Sequence, residues 1–228
     1  MDEATLLGTA ELPRQQGTLH LFALGDTFTL TTDPAAADWM DSVNVKSRQE
    51  LAKLPCKVIS KRLQPKVLIG GLGLSITLVE ALKQLNLQAK VEVSEWLPEV
   101  VEWNEGVVGE AFGFPLKDER VTVNTLDVAR ILRSKKGRYD AILLDTDNGP
   151  EDLLFKENDW LYTFGGLKAC LEALEPMGVL AIWSRVADDR LKGKLIRAGF
   201  MVEQFNVPGN EEGSEDHVIW VAEKLQRD

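Results

Sequence analysis

The chain has 228 residues, 44% of them hydrophobic and 27% charged, with a formal net charge of −10 at pH 7 and a pI near 4.9. That content suits one substantial core with a small appendage, and the acidic surface argues against nucleic acid or an anionic membrane as main partner while tolerating a cationic substrate. Cys56 and Cys170 are far apart, which supports neither a disulfide framework nor a zinc site. The acidic start M-D-E-A-T-L-L-G is not expected to be an export signal, and no apolar run approaches the roughly 18 residues of a membrane span, so a cytoplasmic location is expected.

In chain order, residues 17–33 hold two threonine- and aromatic-rich runs around Leu24-Gly25-Asp26, a hairpin signature. They predict a small β element over 1–46, packing on the main domain or forming a dimer edge. From Ser47 to about Leu63 apolar and charged residues mix at helical spacing; Pro55 is expected to interrupt them and Pro65 to stop them. The main domain, 47–228, then alternates strands and helices. Its strands are V-L-I-G, A-K-V-E-V-S-E, R-V-T-V-N, Y-D-A-I-L-L-D, V-L-A-I-W-S, F-M-V-E-Q-F and H-V-I-W-V-A-E, with a long helix ending near Leu174 and another over Asp189–Ala198. This alternation predicts an α/β fold, a Rossmann-like doubly wound and mostly parallel sheet. The last two strands are joined only by the glycine- and acid-rich loop Pro208–Asp216 and should pair antiparallel.

The first turn, V-L-I-G-G-L-G-L-S over Val67–Ser75, reads as strand, tight turn and helix. Gly70, Gly71 and Gly73 allow a ligand close to the main chain. A full dinucleotide fingerprint needs a third glycine at position 76, where Ile76 stands, so an adenosine ligand without phosphates fits better than a pyrophosphate. Ligands of such sheets bind outside the carboxyl ends of the strands. Glu95 ends the second strand about 22 residues past Gly73, the interval at which an acid accepts ribose hydroxyls. Trp96 follows it and is placed near an adenine edge. Asp127 follows the third strand and is either a helix N-cap or an acceptor for the adenine amino group.

Asp145 ends the fourth strand, and Asp147, Asn148, Gly149 and Pro150 form an abrupt turn beside it. Three uses are open: Asp145 and Asp147 hold and deprotonate an amine, they bind Mg²⁺ through oxygen, or they shape a turn. Residues 151–159 suit a mobile lid, and Trp160 and Tyr162 either wall an alkylammonium chain or pack in the core. His20 and His217 are the only histidines, which disfavours a Ser-His-Asp or Cys-His system and histidine metal ligation.

These motifs, over roughly 66–205, resemble class I S-adenosylmethionine-binding proteins, in particular the spermidine synthase group of aminopropyltransferases. V-L-I-G-G-L-G-L-S is similar to that group's V-L-x-I-G-G-G-D-G, S-E-W-L-P-E-V-V-E to its V-E-I-D-P-E-V-V-E, and Y-D-A-I-L-L-D-T-D-N-G-P to its Y-D-V-I-I-x-D-S-T-D-P-x-G-P. R-V-T-V-N-T-L-D matches its third-strand motif ending in G-D. The resemblance implies that Glu95 holds ribose, Asp127 adenine and Asp145 the attacking amine, with Asp147 positioning it; the residue pattern after the fourth strand places Asn148, Trp160 and Tyr162 on the substrate side. It implies transfer of an aminopropyl group from decarboxylated S-adenosylmethionine to a putrescine-like amine without a metal, in a homodimer. S-adenosylmethionine-dependent methyl transfer and a noncatalytic nucleoside-binding homologue are the alternatives. The chain departs from the pattern in the glycine turn, where Leu72 and Leu74 flank Gly73 and the group has a cofactor-gripping aspartate, and at Leu126, which replaces the glycine before Asp127.

Overall fold

A computed structural model describes residues 3–32, 40–209 and 216–226. Four strands, β1 (Thr5–Glu11), β2 (Thr18–Leu24), β3 (Thr27–Thr31) and β4 (Met40–Asp41), form an antiparallel sheet in the order β1-β2-β3-β4. The expected hairpin is β2–β3, turning at Gly25 with φ +57°. The two outer strands were not apparent in the sequence. Alternate residues of β2 and β3, Leu19, Leu21, Phe28 and Leu30, are buried, as expected for strands with one face on a core.

Helix α1 (Lys46–Val58) runs through Pro55 instead of being interrupted there. Proline removes one i→i−4 hydrogen bond, but Leu51, Ala52, Pro55 and Cys56 form a buried stripe at helical spacing whose packing sustains the helix. It lies beside α2 (Ile76–Gln84).

The main sheet has seven strands. In spatial order they are β10 (Phe200–Val207), β11 (His217–Lys224), β9 (Leu174–Ser184), β8 (Tyr139–Leu144), β5 (Lys66–Gly70), β6 (Lys90–Glu95) and β7 (Val121–Thr125). Strands β7, β6, β5, β8 and β9 are parallel, and β11 pairs antiparallel with both β9 and β10. The doubly wound sheet with an antiparallel end pair is as anticipated. Most of the loop expected at 208–216 falls at 210–215, outside the described residues.

Helices α3 (Pro98–Glu105), α4 (Val107–Ala111), α5 (Val128–Ser134), α6 (Phe164–Ala173) and α7 (Asp189–Ala198) complete the layers. The helix expected to be long before Leu174 is α6, which has only ten residues. The chain ahead of it forms a 3₁₀ turn, Lys156–Tyr162, because Thr163 breaks the helix and caps α6 through the Gly166 amide. Strands β5 and β8 are buried along almost their whole length, as in parallel sheets covered on both faces. The strand order reverses between β5 and β8, which places a crevice at the carboxyl ends of these two strands. Among the described residues no helix is long and apolar enough to cross a membrane.

Candidate functional site

The glycine turn closes β5 directly over the end of β8. Gly71 has φ +89°, and a Cβ there would lie 2.3 Å from the Asp145 carbonyl oxygen, so only glycine lets the two strand ends meet. Gly73 has φ +50°, and its Cβ would lie 2.6 Å from Met40 Sδ. The turn is pinned from three sides. The Gly71 amide donates to the Ser94 carbonyl at 2.9 Å, Asn104 Nδ2 donates to the Gly73 carbonyl at 2.8 Å, and the Leu74 amide points at Met40 Sδ at 3.4 Å.

Glu95 ends β6 with its carboxylate inside the fold. One oxygen accepts the Leu72 amide and the other the Leu97 amide, both at 2.9 Å. Burial raises its pKa, opposed by these backbone hydrogen bonds. The Trp96 and Gly73 amides also act on this carboxylate and hold its pKa down. Asp127 caps α5 through the Ala129 amide at 2.8 Å, the N-cap reading of the sequence, and also faces the cavity. Trp96 packs against Phe155 with ring centres 5.1 Å apart and the planes tilted by 54°.

Gly71, Gly73, Glu95, Trp96, Asp127 and Asp145 line one cavity at the carboxyl ends of the strands, together with Leu19, Leu30 and Met40 from the small sheet and Leu154, Phe155 and Asn158 from the loop after β8. Its free volume is about 50 Å³, little more than the ~30 Å³ share of one water and below the ~300 Å³ of the smaller ligand pockets. The polar groups suit the adenosine part of a sulfonium nucleoside: strand-end carboxylates for hydroxyl and amino donors, an aromatic wall, and glycines that leave the backbone bare. The volume is too small for it with the side chains as they stand, and Met40, Leu154 and Phe155 are apolar members of the lining.

Asp145 accepts Thr77 Oγ1 on one oxygen at 2.8 Å. Its other oxygen faces Arg48 Nε at 3.4 Å, an ion pair in which both side chains are 6% exposed. Asp147 is not among the cavity residues. Its Oδ1 accepts the Leu154 amide and Asn158 Nδ2, at 2.8 and 2.9 Å, and its Oδ2 accepts Thr146 Oγ1 and Tyr162 Oη, at 2.8 and 3.1 Å. Burial lifts the Asp147 pKa to about 6 against the pull of those donors, and burial likewise raises Tyr162 well above the ordinary phenol value. Asn148 bonds Asp152 through its side chain at 2.9 Å and through its backbone amide, and its carbonyl accepts the Arg185 amide. Trp160 packs on the core with the Arg133 guanidinium 3.9 Å from its ring.

The structure thus brings Asp145 together with the glycine turn, Glu95, Trp96 and Asp127. Asp147 and Tyr162 belong to a network in the following loop whose members Thr146, Leu154 and Asn158 also line the cavity, Asn148 bonds Asp152 and Arg185 apart from it, and Trp160 is not among the lining residues. The two carboxylates of the D-x-D turn make separate sets of bonds, and no group of three acidic, histidine or cysteine side chains able to hold a metal occurs among the described residues. Met40 and Arg48 were not singled out from sequence. Arg48 did carry a signal, since it sits at the i−3 and i−4 positions from Leu51 and Ala52, on the stripe that α1 buries.

No family model matches the chain, and no curated protein matches it. Solved structures do. A spermidine synthase from Thermotoga maritima superposes with a TM-score of 0.74 at 19% identity, over 97% of this chain and 74% of that one. The chain has a spermidine synthase-like fold. A spermidine synthase in complex with the transition-state analogue AdoDATO gives 0.73 at 19% identity, over 97% and 73%. A probable spermidine synthase from Corynebacterium glutamicum gives 0.68 at 14%, over 98% and 81%. The CurJ carbon methyltransferase matches more loosely, at 0.55 and 18% identity, over 78% and 54%. At these identities it is the fold that is shared.

Proposed function

We propose that the chain binds an adenosyl sulfonium at the glycine turn and acts as a spermidine synthase-like transferase, moving an aminopropyl group from decarboxylated S-adenosylmethionine to an amine. The observation that carries this reading is the convergence of Gly71, Gly73, Glu95, Asp127 and Asp145 on one cavity at the point where strand order reverses. In this reading Glu95 accepts the ribose hydroxyls, Asp127 and Trp96 contact the adenine, and Asp145 aligns and deprotonates the attacking amine. The nucleoside supplies an electrophilic carbon beside its sulfonium. The protein supplies alignment, exclusion of water and a proton acceptor. Asp147, already holding four donors, acts indirectly by fixing the loop that closes the cavity, with Asn148, Trp160 and Tyr162 as parts of that support.

A second reading, a noncatalytic nucleoside-binding homologue, is favoured by the Arg48–Asp145 ion pair, since the carboxylate needed for an amine already faces a cation. Methyl transfer from intact S-adenosylmethionine is the alternative chemistry on the same cavity. Calorimetric titration separates these readings. Preference for the decarboxylated nucleoside supports aminopropyl transfer, preference for the intact one supports methyl transfer, and binding of methylthioadenosine without any turnover supports the noncatalytic reading. No binding by any of the three sinks the nucleoside site itself.

A further inference from the structure

The amino ends of β5 and β6, opposite the glycine turn, open onto a cleft of about 530 Å³, within the range of small-molecule sites. Lys66, Lys90, Arg120, Lys135 and Arg138 line it, and Glu92 is the only acid among the described residues that do so. Its walls are built from side chains that hold one another. Glu92 accepts Tyr139 Oη at 2.7 Å and Asn124 Nδ2 at 3.1 Å, and it faces Arg138 at 3.6 Å. Asp118 fixes Arg120 through two charge-assisted bonds, at 2.9 and 2.8 Å. These two carboxylates each offset one guanidinium. Lys66, Lys90 and Lys135 remain, and none of the three has an ion pair among the described residues.

Two of these lysines are placed unfavourably for the protein alone. Lys66 and Lys90 are direct partners in the β5–β6 register, so their side chains leave the same face of the sheet about 5 Å apart. Like charges set directly opposite each other cost stability. Lys135, at the end of α5, and Arg138, just before β8, bring more positive charge to the same cleft. Three uncompensated cations around one cleft, in a chain of net charge −10, match a small ligand with several negative charges, whereas a long polyanion would run off the cleft onto the acidic surface. Ammonium groups bind phosphate as point charges, and a guanidinium grips it with its fork. We propose that Lys66, Lys90, Lys135 and Arg138 bind the clustered phosphates of a small polyphosphate ligand at the amino ends of the strands. No residue lines both this cleft and the cavity at the carboxyl ends, so the proposal stands independently of the nucleoside reading. The same chemistry has two sources: a free inorganic polyphosphate, or the phosphate chain of a nucleotide.

Calorimetric titration of the whole protein with inorganic triphosphate tests it, at about 0.15 M salt, where exposed charges more than about 8 Å apart are screened. Saturable binding of one triphosphate per chain is expected. The double variant Lys66→Gln/Lys90→Gln should weaken it by about tenfold or more and, without ligand, should melt at the wild-type temperature or above it, since two opposed like charges are gone. Lys192→Gln/Lys194→Gln removes the same charge from α7, outside the cleft, and should leave the affinity within about twofold. Lys135→Gln, expected to weaken binding severalfold, repeats the test where the double variant does not fold. ATP against inorganic triphosphate identifies the source: tighter ATP binding that the double variant loses assigns a nucleotide, and equal or weaker ATP binding a free polyphosphate. Absence of triphosphate binding, an affinity unchanged in the cleft variants, an equal loss in the α7 variant, a clearly lower melting temperature of the ligand-free double variant, or tighter binding of a single-stranded RNA than of triphosphate overturns the proposal.

Discussion

Glu95 accepts the Leu72 amide at 2.9 Å, so the carboxylate assigned to ribose is also a strut of the glycine turn. Glu95→Ala leaves the buried Leu72 and Leu97 amides without their acceptor, and we expect a loss of about 2–4 kcal/mol in chemical denaturation, with loss of methylthioadenosine binding. Glu95→Gln keeps one carbonyl acceptor. It should cost less stability than alanine yet still weaken nucleoside binding by about tenfold or more, as read by calorimetry.

Met40 fills the space beside Gly73, with Sδ close enough to exclude a Cβ there, and is 3% exposed. Met40→Ala should open the cavity. The expected signature is two-sided: a stability loss of about 2–4 kcal/mol from the missing core packing, and tighter methylthioadenosine binding because the ligand no longer displaces the side chain. Equal or weaker binding by this variant means that the nucleoside enters past Leu154 and Phe155 instead.

Asp147 sets a pH dependence. Its pKa in the folded chain, about 6, lies above the ordinary 3.8, so folding favours its protonated form. The associated stability is fully present below about pH 4 and is lost as the pH rises towards 6, a change on the order of 3 kcal/mol. The raised Glu95 pKa acts in the same direction. Denaturation midpoints between pH 4 and 7 should therefore fall with rising pH by more in the wild type than in Asp147→Asn, which cannot ionise.

Removing either member of the Arg48–Asp145 pair leaves the other buried without its counter-charge. Asp145→Asn and Arg48→Met should each cost about 3–5 kcal/mol, and the double variant clearly less than the sum, a coupling that a double-mutant cycle measures. Asp145→Asn should also end any group transfer. Turnover at the wild-type rate in that variant would remove Asp145 from the role of proton acceptor.

Trp160 tests the division between cavity and loop. With Arg133 over its ring and no part in the cavity lining, Trp160→Ala should lower the melting temperature and leave methylthioadenosine affinity within about twofold.

Most of the architecture was legible because it rests on short-range pattern. Buried runs such as Val67–Gly70 and Tyr139–Leu144 announce parallel strands, and the strand-end acids Glu95, Asp127 and Asp145 announce the crevice. The parts that were not legible depend on distant packing. Strands β1 and β4 exist through their pairing with β2 and β3, and α1 survives Pro55 through its buried stripe. The D-x-D turn was readable as a turn, but Asp147 makes its bonds with Tyr162 and Asn158, 15 and 11 residues further along, a reach that residue spacing does not encode. Met40 enters the cavity from the other sheet, and only the fold brings it to Gly73.

The four donors gathered by Asp147 come from residues 146, 154, 158 and 162, so the stretch between them behaves as one cooperative unit instead of a string of independent turns. Opening it fully breaks the bonds from residues 154, 158 and 162, a local unfolding event with its own free energy. The Leu154 amide, bonded to Asp147 Oδ1 at 2.8 Å, is a natural probe of that event. Its deuterium uptake should report how often the loop lets go, and should slow when a nucleoside fills the space beneath Phe155.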